Sequence, residues 1–147
     1  MIAAFGSSAC LTVVAGCTDR VGVEHPYRNT DIEGRLLASV GELHADQLAV
    51  NPGVTVICVL DEYVPPWSLT QILARHGYVG PPPPDDMKDV PFGGVGLLFV
   101  SANALQYAVL DTDVVLFNNL TTECFTATSA TILRDGDVYR LTGNRAN

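Results

Sequence analysis

The chain from Val95 onward is a series of short predicted β-strands, and this feature limits the fold more than any other. Runs of β-branched and aromatic residues recur there at short intervals, with turn residues between them. Asp135-Gly136 lies between two alternating runs and predicts a hairpin, because a type I′ turn needs positive φ at both central positions. The predicted strands are 96–101, 105–110, 113–117, 124–127, 131–134 and 137–142.

A long helix is predicted before these strands, over residues 31–50. Thr30 and Glu33 have the spacing of a capping box, in which a hydroxyl and a carboxylate satisfy the first free amides of a helix. Apolar residues then recur at three- and four-residue steps as far as Leu48, which gives one apolar stripe. The run Asn51-Pro52-Gly53 ends the helix.

The segment between the long helix and the predicted sheet contains one strand and one shorter helix. Residues 54–60 form a continuous β-branched run, which is typical of a strand covered on both faces. Ser68 is placed to cap a helix that Gly77 ends, and Pro81 to Pro84 form a stiff polyproline segment. The order of elements predicts an α+β fold, with two N-terminal helices packed on one face of a curved, mainly antiparallel sheet of five to six strands.

The composition predicts a well-buried body and excludes nucleic acid as a partner. Of the 147 residues, 48% are hydrophobic and only 16% are charged, so the chain has the apolar content for one substantial core. The formal net charge is −8, and an acidic surface repels a phosphate backbone.

The first seventeen residues contain no Asp, Glu, Lys or Arg, whereas the next fourteen contain five. An apolar run that ends in small residues, as 9–16 does, is typical of an export signal. Val14-Ala15-Gly16-Cys17 resembles the lipobox of bacterial lipoproteins. The resemblance implies that residues 1–16 are removed and that Cys17 carries a diacylglycerol group.

Three regions follow from this resemblance: an export signal (1–16), a lipid-anchored tether (17–29) and a single α+β domain (30–147). The protein would then be held in the bacterial cell envelope, with its body in the periplasm or outside the cell. A plain secretory signal, or a buried strand over residues 10–17 in a cytoplasmic protein, is the alternative.

Two cysteines remain for the folded body, Cys58 and Cys124, and each lies in a predicted strand. In an oxidising compartment they are expected to form a disulfide. The alternative is two buried free thiols that pack as small apolar groups.

No catalytic or metal-binding group is assigned, and no cofactor motif is recognised. Cys58, Asp61 and His76 could supply a nucleophile, an orienting group and a base, but no family signature surrounds them. Asp111 and Asp113 alternate as calcium ligands do, although an Asp-Thr-Asp turn needs no ion.

Aromatic residues flank the proline-rich segments and suggest a contact surface. Tyr63, Trp67 and Tyr78 lie beside Pro65-Pro66 and the polyproline run. The sequence therefore favours a small acidic lipoprotein with a non-catalytic binding role, directed at an envelope protein or another ligand. A small hydrolase using Cys58, Asp61 and His76 is one alternative. A carrier that holds a small apolar ligand between the long helix and the sheet is the other.

Overall fold

The computed structural model describes residues 22–61, 66–88, 90–119 and 121–146, without the side chains of residues 66, 67 and 88. Within these ranges the fold is α+β, built from two α-helices and two four-stranded sheets. In chain order the elements are α1 (Thr30–Ala38), β1 (Glu42–His44), a 3₁₀ turn (Ala45–Leu48), β2 (Val56–Leu60), α2 (Pro66–Arg75), a second 3₁₀ turn (Asp85–Lys88), β3 (Gly94–Val100), β4 (Leu105–Asp111), β5 (Leu116–Phe117), β6 (Glu123–Thr126), β7 (Thr131–Asp135) and β8 (Val138–Thr142).

The first sheet, sheet I, has the strand order β4-β3-β2-β6 and is antiparallel throughout. Every residue of β2 and β3 is buried. A strand in a sheet points its side chains alternately to the two faces, so both faces of sheet I must be covered. The continuous apolar run at 54–60 predicted this correctly, and the strand itself covers Val56–Leu60.

The second sheet, sheet II, has the order β1-β7-β8-β5. The predicted hairpin is present and joins β7 to β8, with Asp135 paired to Val138. The two residues of its loop are Gly136 and Asp137, and Gly136 adopts a φ of 64°. Leu133 and Leu116 are 40% and 48% exposed, so the outer face of sheet II meets solvent.

The two helices lie on opposite faces of sheet I, which corrects the prediction of one sheet with both helices on one face. Ile32 and Leu36 of α1 belong to a buried cluster that fills the space between the two sheets. Leu69 and Leu73 of α2 belong to a second cluster on the other face of sheet I. The sequence pattern predicts buried strands but not how they divide between sheets, because that division depends on pairings distant in the chain.

The predicted helix 31–50 is wrong beyond Ala38. Gly41 adopts a φ of 78°, a left-handed conformation that interrupts the helix and that favours glycine. Leu43 then pairs with Ile132 in sheet II, and Leu48 ends a 3₁₀ turn. Both leucines still pack in the cluster between the two sheets. The apolar residues of α1, β1 and the 3₁₀ turn therefore have, along the sequence, the spacing expected of a single helix.

The start of α1 also differs from the predicted capping box. Asn29 is the N-cap, and its side-chain oxygen accepts a 2.9 Å hydrogen bond from the Ile32 amide. Glu33 does not reach back to Thr30 but binds Arg28 instead. The cap therefore lies one residue earlier than predicted, and it satisfies the Ile32 amide rather than the Glu33 amide that a Thr30 cap would satisfy.

Segments outside the regular strands cover both edges of sheet I. Residues 22–29, named here the entry segment, were predicted as tether, but they lie along β4. Asn29 donates to the Val109 carbonyl, and the Val109 amide donates to Tyr27. At the other edge, Thr126 donates to Asn144 and Ala146 donates to Cys124. Both outer strands are thereby protected from pairing with another chain.

The cap assignment gives a direct test. Asn29→Ala is expected to lower the free energy of unfolding by about 1 kcal/mol, because it removes the only side-chain oxygen that caps α1. Thr30→Ala, the matched control at the exposed next position, should leave the free energy nearly unchanged. Urea unfolding of the two variants measures both values, and a larger loss from Thr30→Ala would contradict the assignment.

Candidate functional site

Cys58 and Cys124 lie directly opposite each other on β2 and β6, and their sulfur atoms are bonded. The bond joins β2, one of the two central strands of sheet I, to the edge strand β6. Cys58 is fully buried in the cluster beneath α2. A bridge that spans 66 positions of the chain stabilises the fold by about 4 kcal/mol in the chain-entropy model.

The bridge removes the basis of the hydrolase alternative. A thiolate is the reactive form of cysteine, and Cys58 carries no thiol while it is bonded to Cys124. Asp61 is exposed at the end of β2, and its amide donates a 3.3 Å hydrogen bond to the Thr122 hydroxyl. Burial, together with the neighbouring Arg75, lowers the pKa of His76 below its ordinary value.

The most heavily bonded polar cluster is one that the sequence did not predict. The Arg28 guanidinium forms a two-pronged pair with Glu33, with distances of 2.6 Å from Nε and 2.8 Å from Nη2. The Glu33 side chain is only 5% exposed. The hydrogen bond to Glu33 raises the pKa of Arg28 above its ordinary value, so the guanidinium stays charged.

A second buried carboxylate, Asp111 at the end of β4, completes this cluster. Its backbone amide donates to Glu33 at 2.9 Å, and its Oδ2 lies 3.8 Å from Arg28 Nη1. Its two oxygens also accept the amides of Val23 and Asp113. Gly22 is packed so closely that an added Cβ would lie 3.2 Å from Asp111 Oδ2.

This network binds the entry segment to the body and leaves no basis for the calcium alternative. Asp111 faces a guanidinium, which supplies the positive charge, and Asp113 is joined to it by a turn hydrogen bond. Within the described ranges, no three His, Cys, Asp or Glu side chains converge on a point that would suit a metal ion. His44, predicted in mid-helix, is exposed on β1.

One exposed groove in the described part of the structure lies between α2 and the polyproline segment. It has a volume of about 280 Å³. Its walls are Thr70, Leu73 and Ala74 of α2 together with Tyr78, Gly80, Pro82 and Pro83. We name this feature the proline groove.

Short-range contacts fix the far wall of the proline groove. The Tyr78 hydroxyl donates to the Pro81 carbonyl, and the Val79 amide donates to Ala102. A Cβ at Gly80 would lie 2.5 Å from the Asn103 carbonyl oxygen and 2.6 Å from the Tyr78 hydroxyl, so only glycine fits. The rings of Pro82 and Pro83 are rigid, and the groove therefore needs little ordering before it binds.

Of the three predicted contact residues, one has a described side chain. Tyr78 is half-buried and lines the proline groove. Trp67 lies in the first turn of α2, and its side chain is outside the described part of the structure. Tyr63 lies outside the described residues altogether, as do residues 1–16 and Cys17.

The carrier alternative placed a ligand between the first helix and the sheet. In the structure, side chains of the protein fill this space. Leu36 of α1 is completely buried, and so are Leu97 and Leu110 of sheet I. All three belong to the cluster between the two sheets. That interior is packed with the protein's own side chains.

Comparison with known proteins identifies no relative of this chain. No family model, no curated protein and no solved structure gives a significant match.

The buried network predicts a large effect of one substitution. Arg28→Met should lower the free energy of unfolding by about 3–5 kcal/mol, because it leaves Glu33 and Asp111 buried without their cation. Arg35→Met, on the exposed side of α1, removes one hydrogen bond to Gln47 and should cost about 1 kcal/mol or less. Urea unfolding compares the two variants, and equal losses would show that the network contributes no special stability.

Proposed function

We propose that the protein is a small lipid-anchored protein of the bacterial cell envelope. Its folded body binds an envelope protein that places an apolar side chain in the proline groove. The observation that carries the proposal is the Cys58–Cys124 disulfide, which belongs in an oxidising compartment.

Disulfides persist outside the cytoplasm, where thiols are not kept reduced, so the bridge supports export of the chain. The lipobox-like Val14-Ala15-Gly16-Cys17 supports a lipid anchor as the means of attachment. Two acyl chains on one residue are sufficient for stable membrane binding. None of the helices in the described ranges has the length and apolarity needed to cross a bilayer.

The proline groove supports the binding role. It combines an aromatic ring, two proline rings and the side chains of one helix face, which are common components of protein interfaces. Its volume of about 280 Å³ suits one large side chain rather than an extended ligand. Val79 beside it is 80% exposed and extends the apolar surface toward solvent.

The anchor is tested in bacteria that produce the full chain. Mass spectrometry of the membrane fraction should find an N-terminal peptide that begins at Cys17 and carries acyl chains, and Cys17→Ala should abolish this mass. Alkylation without a reductant should leave Cys58 and Cys124 unlabelled, because both sulfurs are bonded.

A full-length cytoplasmic chain that retains Met1 and has two alkylated body thiols would contradict the proposed location. Acylated Cys17 with free body thiols would retain the anchor but remove the support that the bridge provides.

Binding is tested by photo-crosslinking in intact envelopes, with a photoreactive phenylalanine analogue at Ala74 in the groove wall. Thr70→Arg places a charge at the groove and should reduce the crosslinked adduct roughly tenfold. Gln71→Arg adds the same charge to α2 at an exposed position outside the groove and should leave the adduct unchanged.

Equal adduct from the two variants would show that the partner does not enter the groove. Circular dichroism of both purified variants confirms that neither substitution alters the fold, because both positions are exposed.

A further inference from the structure

Phe92 is an exposed aromatic residue, with 83% of its surface accessible to solvent. It occupies the tip of a tight turn in which Gly94 donates to the Pro91 carbonyl and Gly93 adopts a φ of 80°. This is the hydrogen bonding and geometry of a type II turn, with glycine at the position that needs positive φ.

The turn that presents Phe92 is held to the end of β4. Both the amide and the hydroxyl of Thr112 donate to the Gly93 carbonyl, at 2.9 and 2.8 Å. Pro91 fixes one backbone angle of the turn. The aromatic ring is therefore displayed on a rigid support, and no neighbouring element of the described chain covers it.

The entry segment joins the body beside this turn. Val23 lies against Gly93, with its Cγ2 3.8 Å from the position of an added Cβ. The Val23 amide donates to Asp111, the residue before Thr112. The chain that leads back to Cys17 therefore leaves the body at the end of sheet I that carries Phe92.

Only four residues, 18–21, separate Cys17 from Gly22, the first described residue. Five extended residues span at most about 18 Å, so an acylated Cys17 would keep this end of the body within about 18 Å of the lipid surface. That distance is comparable to the thickness of the interfacial region of a bilayer.

We infer that the Phe92 turn lies in the bilayer interface and that Phe92 inserts between the lipid headgroups as a second, non-covalent anchor. The inference rests on the proposed acylation of Cys17. Two attachment points fix the orientation of a body, whereas one acylated residue on a chain segment leaves it free to turn. Sheet I then stands with its Phe92 end at the membrane and its proline groove end away from it.

The contact is apolar rather than electrostatic. Three exposed acidic residues, Glu24, Asp61 and Asp113, belong to the segments at this end of sheet I, and the guanidinium of Arg28 there is paired with Glu33. Anionic lipids repel acidic side chains near the surface. Insertion is therefore expected to be deeper in vesicles of phosphatidylcholine than in vesicles rich in phosphatidylglycerol.

Val79 provides a matched control at the opposite end of the same sheet. It is 80% exposed, and its amide donates to Ala102, just beyond the last residue of β3. Phe92 precedes the first residue of this seven-residue strand. The two side chains are thus separated by the length of β3, about 20 Å.

The test uses the full acylated chain, purified from membranes and reconstituted in phosphatidylcholine vesicles. Trp67→Phe removes the single tryptophan of the chain, and Phe92→Trp or Val79→Trp then adds one reporter. Lipids with brominated acyl chains quench a tryptophan that reaches the interface. We expect quenching of the reporter at position 92 to exceed that at position 79 about twofold or more, with a blue-shifted emission.

Each outcome decides the matter. Equally weak quenching at both positions, in protein that floats with the vesicles and carries the acyl mass, overturns the insertion of Phe92 and leaves the lipid anchor intact. Equally strong quenching overturns the proposed orientation. A chain that lacks acyl mass and does not float refutes the anchor itself, and the insertion falls with it.

Discussion

The buried pairing of Arg28 with Glu33 is the interaction on which the arrangement of this protein depends. It brings together the entry segment, the first turn of α1 and, through the Asp111 amide, the end of β4. Charges removed from water are costly unless every one is paired and hydrogen-bonded. Here the carboxylates of Glu33 and Asp111 accept hydrogen bonds from backbone amides and also face the guanidinium. The cluster therefore fixes how these three segments are arranged.

The disulfide and the buried network act on opposite sides of sheet I. Cys58–Cys124 ties the central strand to β6, whereas Arg28 ties the entry segment to the end of β4. Between them lies β3, whose residues are all buried. The two ends of sheet I consequently carry different surface features. One end carries the entry segment and Phe92, and the other carries the wall of the proline groove.

Local patterns in the sequence predicted most of the strands and the hairpin, because β-branching and glycine act over a few residues. They missed β1, and the predicted strand 113–117 is a strand only over Leu116–Phe117. The long helix was wrong because Leu43 and Leu48 repeat at a helical spacing while they belong to β1 and a 3₁₀ turn. Arg28 looked like part of a tether, since its partners depend on Asp111, which is far away in the chain. Tyr78 was predicted as a contact residue, but the groove it lines required the positions of Thr70 and Ala74.

Residues 144–146 supply the hydrogen bonds that cover the outer side of β6. During synthesis, β6 therefore has an open flank until residue 146 has emerged from the ribosome. Docking of residues 144–146 then closes this edge of sheet I, and while the flank is open two nascent copies can pair with each other. A chain truncated before Asn144 would lack these hydrogen bonds, so the flank of β6 would stay open to pairing with another chain.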